Sequence, residues 1–238
     1  MIKKVTLFLY ALMFVALGCK LDKSVSPGGA DSLKTTGGTS GNTVDSYQPA
    51  TKGTYWKYSA TIMNTQAQPP VNMTELQTTT MTGATITINN KVYYTANSVV
   101  DTMKGYVYFY HGNNTYSYRS NLISPDVVVE YVYLKDNAAV GVTWTSPITD
   151  SGKINGTPAQ IVGSIIEKDI SITLAGKTFT NVTHTQLLLQ YDTGTGFSTF
   201  QNMDYYIAKG IGIIRIYTKN IQFSTTTSNN IITDYTVK

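Results

Sequence analysis

The chain has 238 residues, a formal net charge of +4 and charged side chains at 13% of its positions, about half the share that is usual in globular proteins. Its basic residues form no cluster of the kind that nucleic-acid-binding proteins need, so no nucleic-acid partner is expected. Cys19 is the only cysteine. Disulfides within the chain and thiolate metal sites are therefore excluded, and stability must come from a buried core.

The N-terminus has the pattern of a cleaved export signal with a lipid attachment site. Two lysines precede a thirteen-residue uncharged run that ends at Leu17, which is too short to span a bilayer, because that needs about 20 apolar residues, and is typical of a secretory signal. The next residues complete the sequence ALGC, which resembles the lipobox of bacterial lipoproteins. The resemblance implies a signal peptide over 1–18 and a stable lipid anchor on Cys19. An ordinary signal peptide with an incidental cysteine is the alternative.

Residues 20–50 are rich in glycine, serine and threonine and contain almost no large apolar side chains. Such a segment cannot bury enough surface to offset its ordering entropy, so residues 19–50 are predicted to be a lipidated flexible tether that spans about 30 Å. The expected location is the periplasmic face of the outer membrane. Lys20 and Asp22 resemble the export signal of surface lipoproteins of the Bacteroidota, so display on the cell surface is an alternative.

From residue 51 onward, β-branched and aromatic residues alternate with polar ones, which is typical of half-buried strands. Tyr106, Tyr108 and Tyr110 are predicted to share one face of a strand, and Val107 and Phe109 the other. No window of 12 or more residues carries a sustained helical stripe. The other alternating runs are Val127, Val129, Tyr131 and Tyr133; Ile170, Ile172 and Leu174; and Ile211, Ile213, Arg215 and Tyr217, set against Gly212, Ile214 and Ile216.

Two dipeptides between such runs, Asn89-Asn90 and Ala175-Gly176, suit tight hairpin turns with positive φ. Each hairpin belongs to a faint internal repeat. GTYW at 53–56 is matched by GVTW at 141–144, and similar hairpins follow each of them, at offsets of 88 and 86 residues. Two similar halves would explain this repeat, and so would the common chemistry of turns.

The residues that could carry catalysis or bind a metal are few. His111 and His184 are the only histidines, and neither belongs to a cluster of metal-ligand spacing. No serine stands on a Gly-x-Ser-x-Gly turn. Glu167 and Asp169 share one face of a predicted strand and could act on a glycoside, or could be a solvated edge that discourages aggregation. No metal, cofactor or enzymatic activity is expected.

Tyrosine occurs 18 times, and its abundance has two interpretations. The rings can fill cross-strand pairs and the boundary of the core, or they can line a concave sheet face that holds an apolar or sugar ligand. A lone tryptophan is usually part of a core, yet the two tryptophans are the best single candidates for such a face. The candidate ligand-binding residues are Trp56, Trp144, Tyr106, Tyr108, Tyr110, Tyr131 and Tyr133.

Three stretches are similar to lipobox-bearing envelope lipoproteins of the Bacteroidota: GTYWKY at 53–58, GKTFTNV at 176–182 and YYIAKGIGII at 205–214. The resemblance implies antiparallel sheets curved into a half-barrel or barrel, and it implies no activity. Together with the strand pattern it predicts one all-β domain over 51–238.

We therefore expect a membrane-anchored, non-enzymatic envelope lipoprotein, held at the outer membrane by its N-terminal lipid. Its sheet would bind an apolar or amphiphilic ligand, or a protein partner. The alternative is a surface glycan-binding module that uses exposed tryptophan or tyrosine. A hydrolase acting through Glu167 and Asp169 is a third hypothesis.

Overall fold

The computed structural model describes residues 46–122, 127–221 and 226–238. The signal peptide over 1–18, the lipidation of Cys19 and the tether up to residue 45 lie outside the described residues, so those predictions stay predictions. The described ranges consist of thirteen strands joined by turns, which confirms the all-β prediction. They contain no helix with the length and hydropathy that crossing a membrane requires.

The strands take up most of the described chain. Their bounds are β1 Tyr55–Asn64, β2 Val71–Ile88, β3 Lys91–Val100, β4 Met103–Gly112, β5 Thr115–Ser120, β6 Val129–Lys135, β7 Thr143–Pro147, β8 Lys153–Ile154, β9 Thr157–Leu174, β10 Lys177–Asp192, β11 Phe197–Ala208, β12 Gly212–Asn220 and β13 Thr226–Thr236.

The strands form one antiparallel sheet in the order β6-β5-β4-β3-β2-β1-β13-β12-β11-β10-β9-β7, with the short β8 paired to β9. The two end strands meet. The Glu130 N–H on β6 donates to the Ile148 carbonyl just after β7 at 2.7 Å, and Trp144 Nε1 on β7 donates to the Val132 carbonyl on β6 at 3.3 Å. The sheet is therefore curved into a nearly closed barrel, as predicted. We call the meeting of β6 and β7 the seam.

The strand order of the first half is repeated in the second. Strands β1–β6 form one six-stranded meander, and β7 with β9–β13 forms another. Trp56 lies in the first strand of one meander and Trp144 in the first strand of the other. The second long strands, β2 and β9, each have 18 residues. Each is interrupted by a residue with positive φ, Gly83 (81°) and Asp169 (55°), which are 86 positions apart. The faint repeat in the sequence thus corresponds to similar positions in the barrel.

The two predicted hairpin turns are confirmed. Asn89 and Asn90 have φ of 50° and 61°, and Ala175 and Gly176 have φ of 47° and 77°. Positive φ at both central positions defines the turn whose twist matches that of paired strands. Asparagine and glycine tolerate this conformation, whereas alanine pays for it sterically.

Packing begins earlier than the sequence suggests, because residues 46–50 belong to the barrel and not to the tether. Ser46, Gln48 and Ala50 are buried, and Gln48 is only 1% exposed. The Gly210 N–H in the β11–β12 turn donates to the Ser46 carbonyl at 2.8 Å. The Tyr133 hydroxyl on β6 donates to Gln48 Oε1 at 3.0 Å. This segment therefore contacts the inner residues of the barrel near the β11–β12 turn.

Candidate functional site

The interior of the barrel holds a cavity of about 340 Å³ between strands β1–β6 and β12–β13. This volume lies at the lower end of the range for small-molecule sites. The alternation of the strands creates the cavity: Trp56, Tyr58, Ala60 and Ile62 all point inward from β1 and line it, and Gln48 lies at its edge.

One wall of the cavity is apolar. Its members, from β4 to β6, are Val107, Phe109, Leu122 and Val129. The apolar Ile62 and Ile216 also line the cavity but lie beside its polar residues, because Ile62 is paired with Ser228 and Ile216 with Asn230. The Leu122 side chain lies directly on the backbone of Gly105, where an added Cβ would stand 3.2 Å from Leu122 Cγ and closer still to Cδ2. Glycine at position 105 therefore lets Leu122 fold over the cavity. Phe109 packs against Trp56, with ring centroids 6.1 Å apart.

A polar strip from β2 and β13 lies on either side of β1. Its cavity-lining members are Glu75, Gln77, Thr79, Ser228 and Asn230. Asn230 Nδ2 donates to Gln77 Oε1 at 3.5 Å, and Gln77 Nε2 donates to Thr79 Oγ1 at 3.4 Å. Asn230 Oδ1 is buried and accepts no hydrogen bond from any described residue.

The only charged residue among the described residues that line the cavity is the acidic Glu75. Burial, followed by the negative charge of Asp101, raises the pKa of the Glu75 carboxyl above its ordinary value. Among the described residues that line the cavity there is no lysine, arginine or histidine. The arrangement is thus an apolar pocket with one acidic, acceptor-rich side.

The structure distributes the predicted ligand-binding aromatics over three places. Trp56 and Tyr131 line the cavity. Trp144 and Tyr133 are buried in the core on the β6–β11 side of the barrel. Tyr106, Tyr108 and Tyr110 point away from the interior, and Tyr106 is 52% exposed and stacks on Tyr108 at 6.3 Å. Two further tyrosines line the cavity and were not predicted from the sequence, Tyr58 and Tyr118.

Neither tryptophan offers a surface to a sugar. Trp56 is 2% exposed and Trp144 is 6% exposed. The Trp56 indole donates to the Ile211 carbonyl at 2.6 Å, and the Trp144 indole is held at the seam. The prediction of a glycan platform built on an exposed tryptophan is therefore wrong. The pair formed by Tyr106 and Tyr108 is the remaining candidate for a glycan-binding surface.

The two carboxylates of the hydrolase hypothesis do not form a regular pair. Asp169 has positive φ, and the register of β9 against β10 shifts between Glu167 and Ile170. The bulge breaks the i, i+2 relation that the sequence predicted for the shared face. Glu167 and Asp169 are both exposed, and neither lines the cavity.

Glu167 instead takes part in a cluster around His184. His184 Nδ1 lies 3.3 Å from Glu167 Oε2, and Nε2 lies 3.0 Å from Asp204 Oδ1. The ring stacks on Tyr206 at 4.3 Å. Burial works against the charged ring, but the hydrogen bonds and charges of Asp204 and Glu167 outweigh it and raise the pKa of His184. Among the described residues, no group of three or more His, Cys, Asp or Glu side chains has an arrangement that could hold a metal ion, and this holds for the His184 cluster too.

A second polar network fastens the seam. Arg119 on β5 is 4% exposed and donates from both guanidinium NH2 groups to Asp150, at 2.8 Å each. It also reaches Glu130 Oε2 on β6 at 3.3 Å. Glu130 Oε1 in turn accepts from Ser117 at 2.7 Å and Tyr93 at 3.0 Å. Since Asp150 follows β7, the network ties both end strands of the sheet together.

Comparison with known proteins yields structural likeness only. No family model and no curated protein matches the chain. A candidate lipoprotein from Parabacteroides distasonis has 14% identity and a TM-score of 0.48, over 80% of this chain and 98% of its own. A candidate exported protein with a YmcC-like fold from Bacteroides fragilis has 11% identity and a TM-score of 0.47, over 79% and 97%. Both sources are Bacteroidota.

Proposed function

We propose that this protein is a lipid-anchored binding protein of the cell envelope whose barrel holds an amphiphilic small molecule. The observation that carries the proposal is the cavity, which combines an apolar wall with a polar strip inside an otherwise packed barrel. Small-molecule sites have this composition: mainly apolar lining with a few placed polar groups. A cavity that served only packing would be filled, because protein interiors are close-packed.

The energetics favour an alkyl chain as the occupant. Burying methylene groups contributes about 0.8 kcal/mol each, so about ten of them contribute roughly 8 kcal/mol before the entropic cost of association is subtracted. An apolar wall that includes Val107, Phe109 and Leu122 suits such a chain. The polar strip would then meet the head group, and no catalytic step is part of the proposal.

Location at the envelope is the second part of the proposal and rests on the residues up to Cys19. The sequence ALGC after a short apolar run supports lipidation of Cys19, and acyl chains would hold the protein at a membrane. We place it on the periplasmic face of the outer membrane. A Cys19→Ser protein should leave the membrane fraction and keep no lipid on its N-terminus. Unchanged membrane fractionation of this variant would contradict the lipid anchor, and would have no bearing on ligand binding in the cavity.

The binding part of the proposal can be tested with Trp56 as a built-in reporter. A Trp144→Phe variant of the Cys19→Ser protein leaves Trp56 as the single tryptophan, and Trp56 lines the cavity. Titration with 1-monolauroylglycerol should change its emission with a saturable, one-site curve. Absence of any saturable change below the aggregation concentration of the probe would refute binding in the cavity.

Matched variants localise the site. Ala60 lines the cavity, so Ala60→Phe should fill it and abolish the titration. Ser171→Phe adds the same side chain at an exposed position of the β9 hairpin and should leave the titration unchanged. Equal binding by both variants would place the probe elsewhere on the protein.

A further inference from the structure

The polar strip has a geometry that can select among head groups. Ala60 on β1 is paired with Glu75 on β2 and with Asn230 on β13. Glu75 and Asn230 therefore flank the smallest side chain of the row, and their backbones lie about 10 Å apart, twice the spacing of neighbouring strands. All three residues line the cavity. A side chain with an acceptor oxygen therefore lies on either side of Ala60, and the Asn230 amide nitrogen reaches across β1 to Gln77 Oε1.

On the β13 side the acceptor is free. Asn230 Oδ1 is shielded from water and receives no hydrogen bond from the described residues, although the amide nitrogen of the same side chain is engaged by Gln77. A buried acceptor without a donor is costly and rare in native structures. A ligand group that donates a hydrogen bond would remove this cost.

On the β2 side the acceptor is acidic, and nothing in the lining balances its charge. Asp101 lies close enough to add its negative charge to the environment of Glu75. Among the described lining residues none carries a positive charge. The carboxylate or phosphate of an anionic amphiphile would meet this negative field without a counter-charge, which is unfavourable beside the half-buried Glu75.

From these observations we infer that the cavity selects amphiphiles whose head group donates hydrogen bonds and carries no negative charge, with Asn230 and Glu75 as the acceptors. The inference rests on the proposed function and narrows its ligand class. Fatty acids and anionic phospholipids are disfavoured, and hydroxyl-bearing neutral head groups match the acceptors on either side of Ala60.

The test compares two probes with the same dodecyl chain, 1-monolauroylglycerol and laurate, at pH 8 in the Cys19→Ser, Trp144→Phe protein. Their equal chains make the apolar contribution equal, so the ratio of their dissociation constants reports the head group alone. We expect monolauroylglycerol to bind on the order of tenfold more tightly, from the Coulomb cost of one like-charge contact with the half-buried Glu75. Equal or tighter binding of laurate would overturn the inference and leave the proposed function standing. Failure of both probes to bind would overturn both.

Two variants assign the selectivity to residues. Glu75→Gln removes the charge and keeps an acceptor, so laurate binding should strengthen on the order of tenfold while monolauroylglycerol binding stays nearly constant. Asn230→Leu removes the free acceptor and should weaken monolauroylglycerol alone. Asp169→Asn removes one negative charge at an exposed position outside the cavity and should change neither constant. An identical gain for laurate in Asp169→Asn and Glu75→Gln would mean that overall charge, and not the cavity, sets the preference.

Discussion

Gly163→Ala should destabilise the barrel by forcing Trp144 away from the seam. Gly163 on β9 is paired with Trp144 on β7, and a Cβ at position 163 would lie 2.5 Å from both Cζ2 and Nε1 of the indole. The ring would have to move by about 1 Å to restore ordinary contact. Overpacking of this kind costs about 1–3 kcal/mol. The displaced indole would also lose its hydrogen bond to the Val132 carbonyl, which contributes about 0.5–1.5 kcal/mol.

The expected loss is therefore roughly 2–4 kcal/mol in the free energy of unfolding, equal to a fall in Tm of roughly 5–15 °C for a domain of this size. Thermal and urea unfolding followed by circular dichroism measure it. The control is the same substitution in a Trp144→Leu background, where the methyl group has room and should cost little. If Gly163→Ala costs as much in that background as in the native one, the contact with Trp144 is not the cause and the reasoning fails.

Three further predictions concern the networks and turns. Arg119→Met should lower the free energy of unfolding by roughly 1–3 kcal/mol in urea, because it removes the charged hydrogen bonds of Arg119 to Asp150 and Glu130, while Glu130 keeps Ser117, Tyr93 and Lys91 as partners. Hydrogen bonds from Arg119 lower the pKa of Asp150, so this contribution is present above pH about 4 and is lost as the pH falls through the folded-state pKa; the variant should lose less stability in acid than the parent. The pKa of His184 is raised, so its effect on stability has the opposite pH dependence. The stabilisation is fully present below pH about 6.5 and is lost as the pH rises through the folded-state pKa. A His184→Gln variant whose Tm changes as steeply from pH 6 to pH 9 as that of the parent would contradict this. Ala175→Asn should raise stability by about 0.5–1 kcal/mol in the same unfolding assays, because asparagine accepts the positive φ that alanine adopts with strain, and an unchanged or lower Tm would speak against this.

The sequence predicted those parts of the fold that depend on local periodicity. The alternation on β4 correctly separates inward Val107 and Phe109 from outward Tyr106, because residues of a strand alternate strictly between faces. The turns at Asn89 and Ala175 were predictable for the same local reason, since their residue types and spacing are turn signals in themselves.

Bulges limited what periodicity could predict. On β12 the sequence places Ile213 with Arg215 and opposite Ile216. The register against β11 shifts between Tyr206 and Ile207, and Ile213 and Ile216 both line the cavity. An extra residue in one strand inverts every face beyond it, and nothing in the residue types around Ile213 signals where that happens.

The polar strip of the cavity was not predicted, because strand β2 presents an inverted pattern. On β2 the polar Glu75 and Gln77 face the interior, whereas Leu76 between them is 63% exposed. A sequence pattern assigns apolar residues to the core, so it predicts the opposite orientation for this stretch. Asn230, which completes the polar strip, lies more than 150 positions further along the chain, and only the pairing of β1 with β13 brings it to Glu75. Polar residues that point inward without partners are a common mark of function.

The most direct test of the account is native mass spectrometry of the mature, detergent-extracted protein. We predict a bound species in addition to the covalent lipid, one non-anionic amphiphile per chain, that is retained in Ser171→Phe and absent from Ala60→Phe. A bare chain mass in the native protein, or a species that survives the filling of the cavity at position 60, would contradict the central claim that the barrel interior is a binding site.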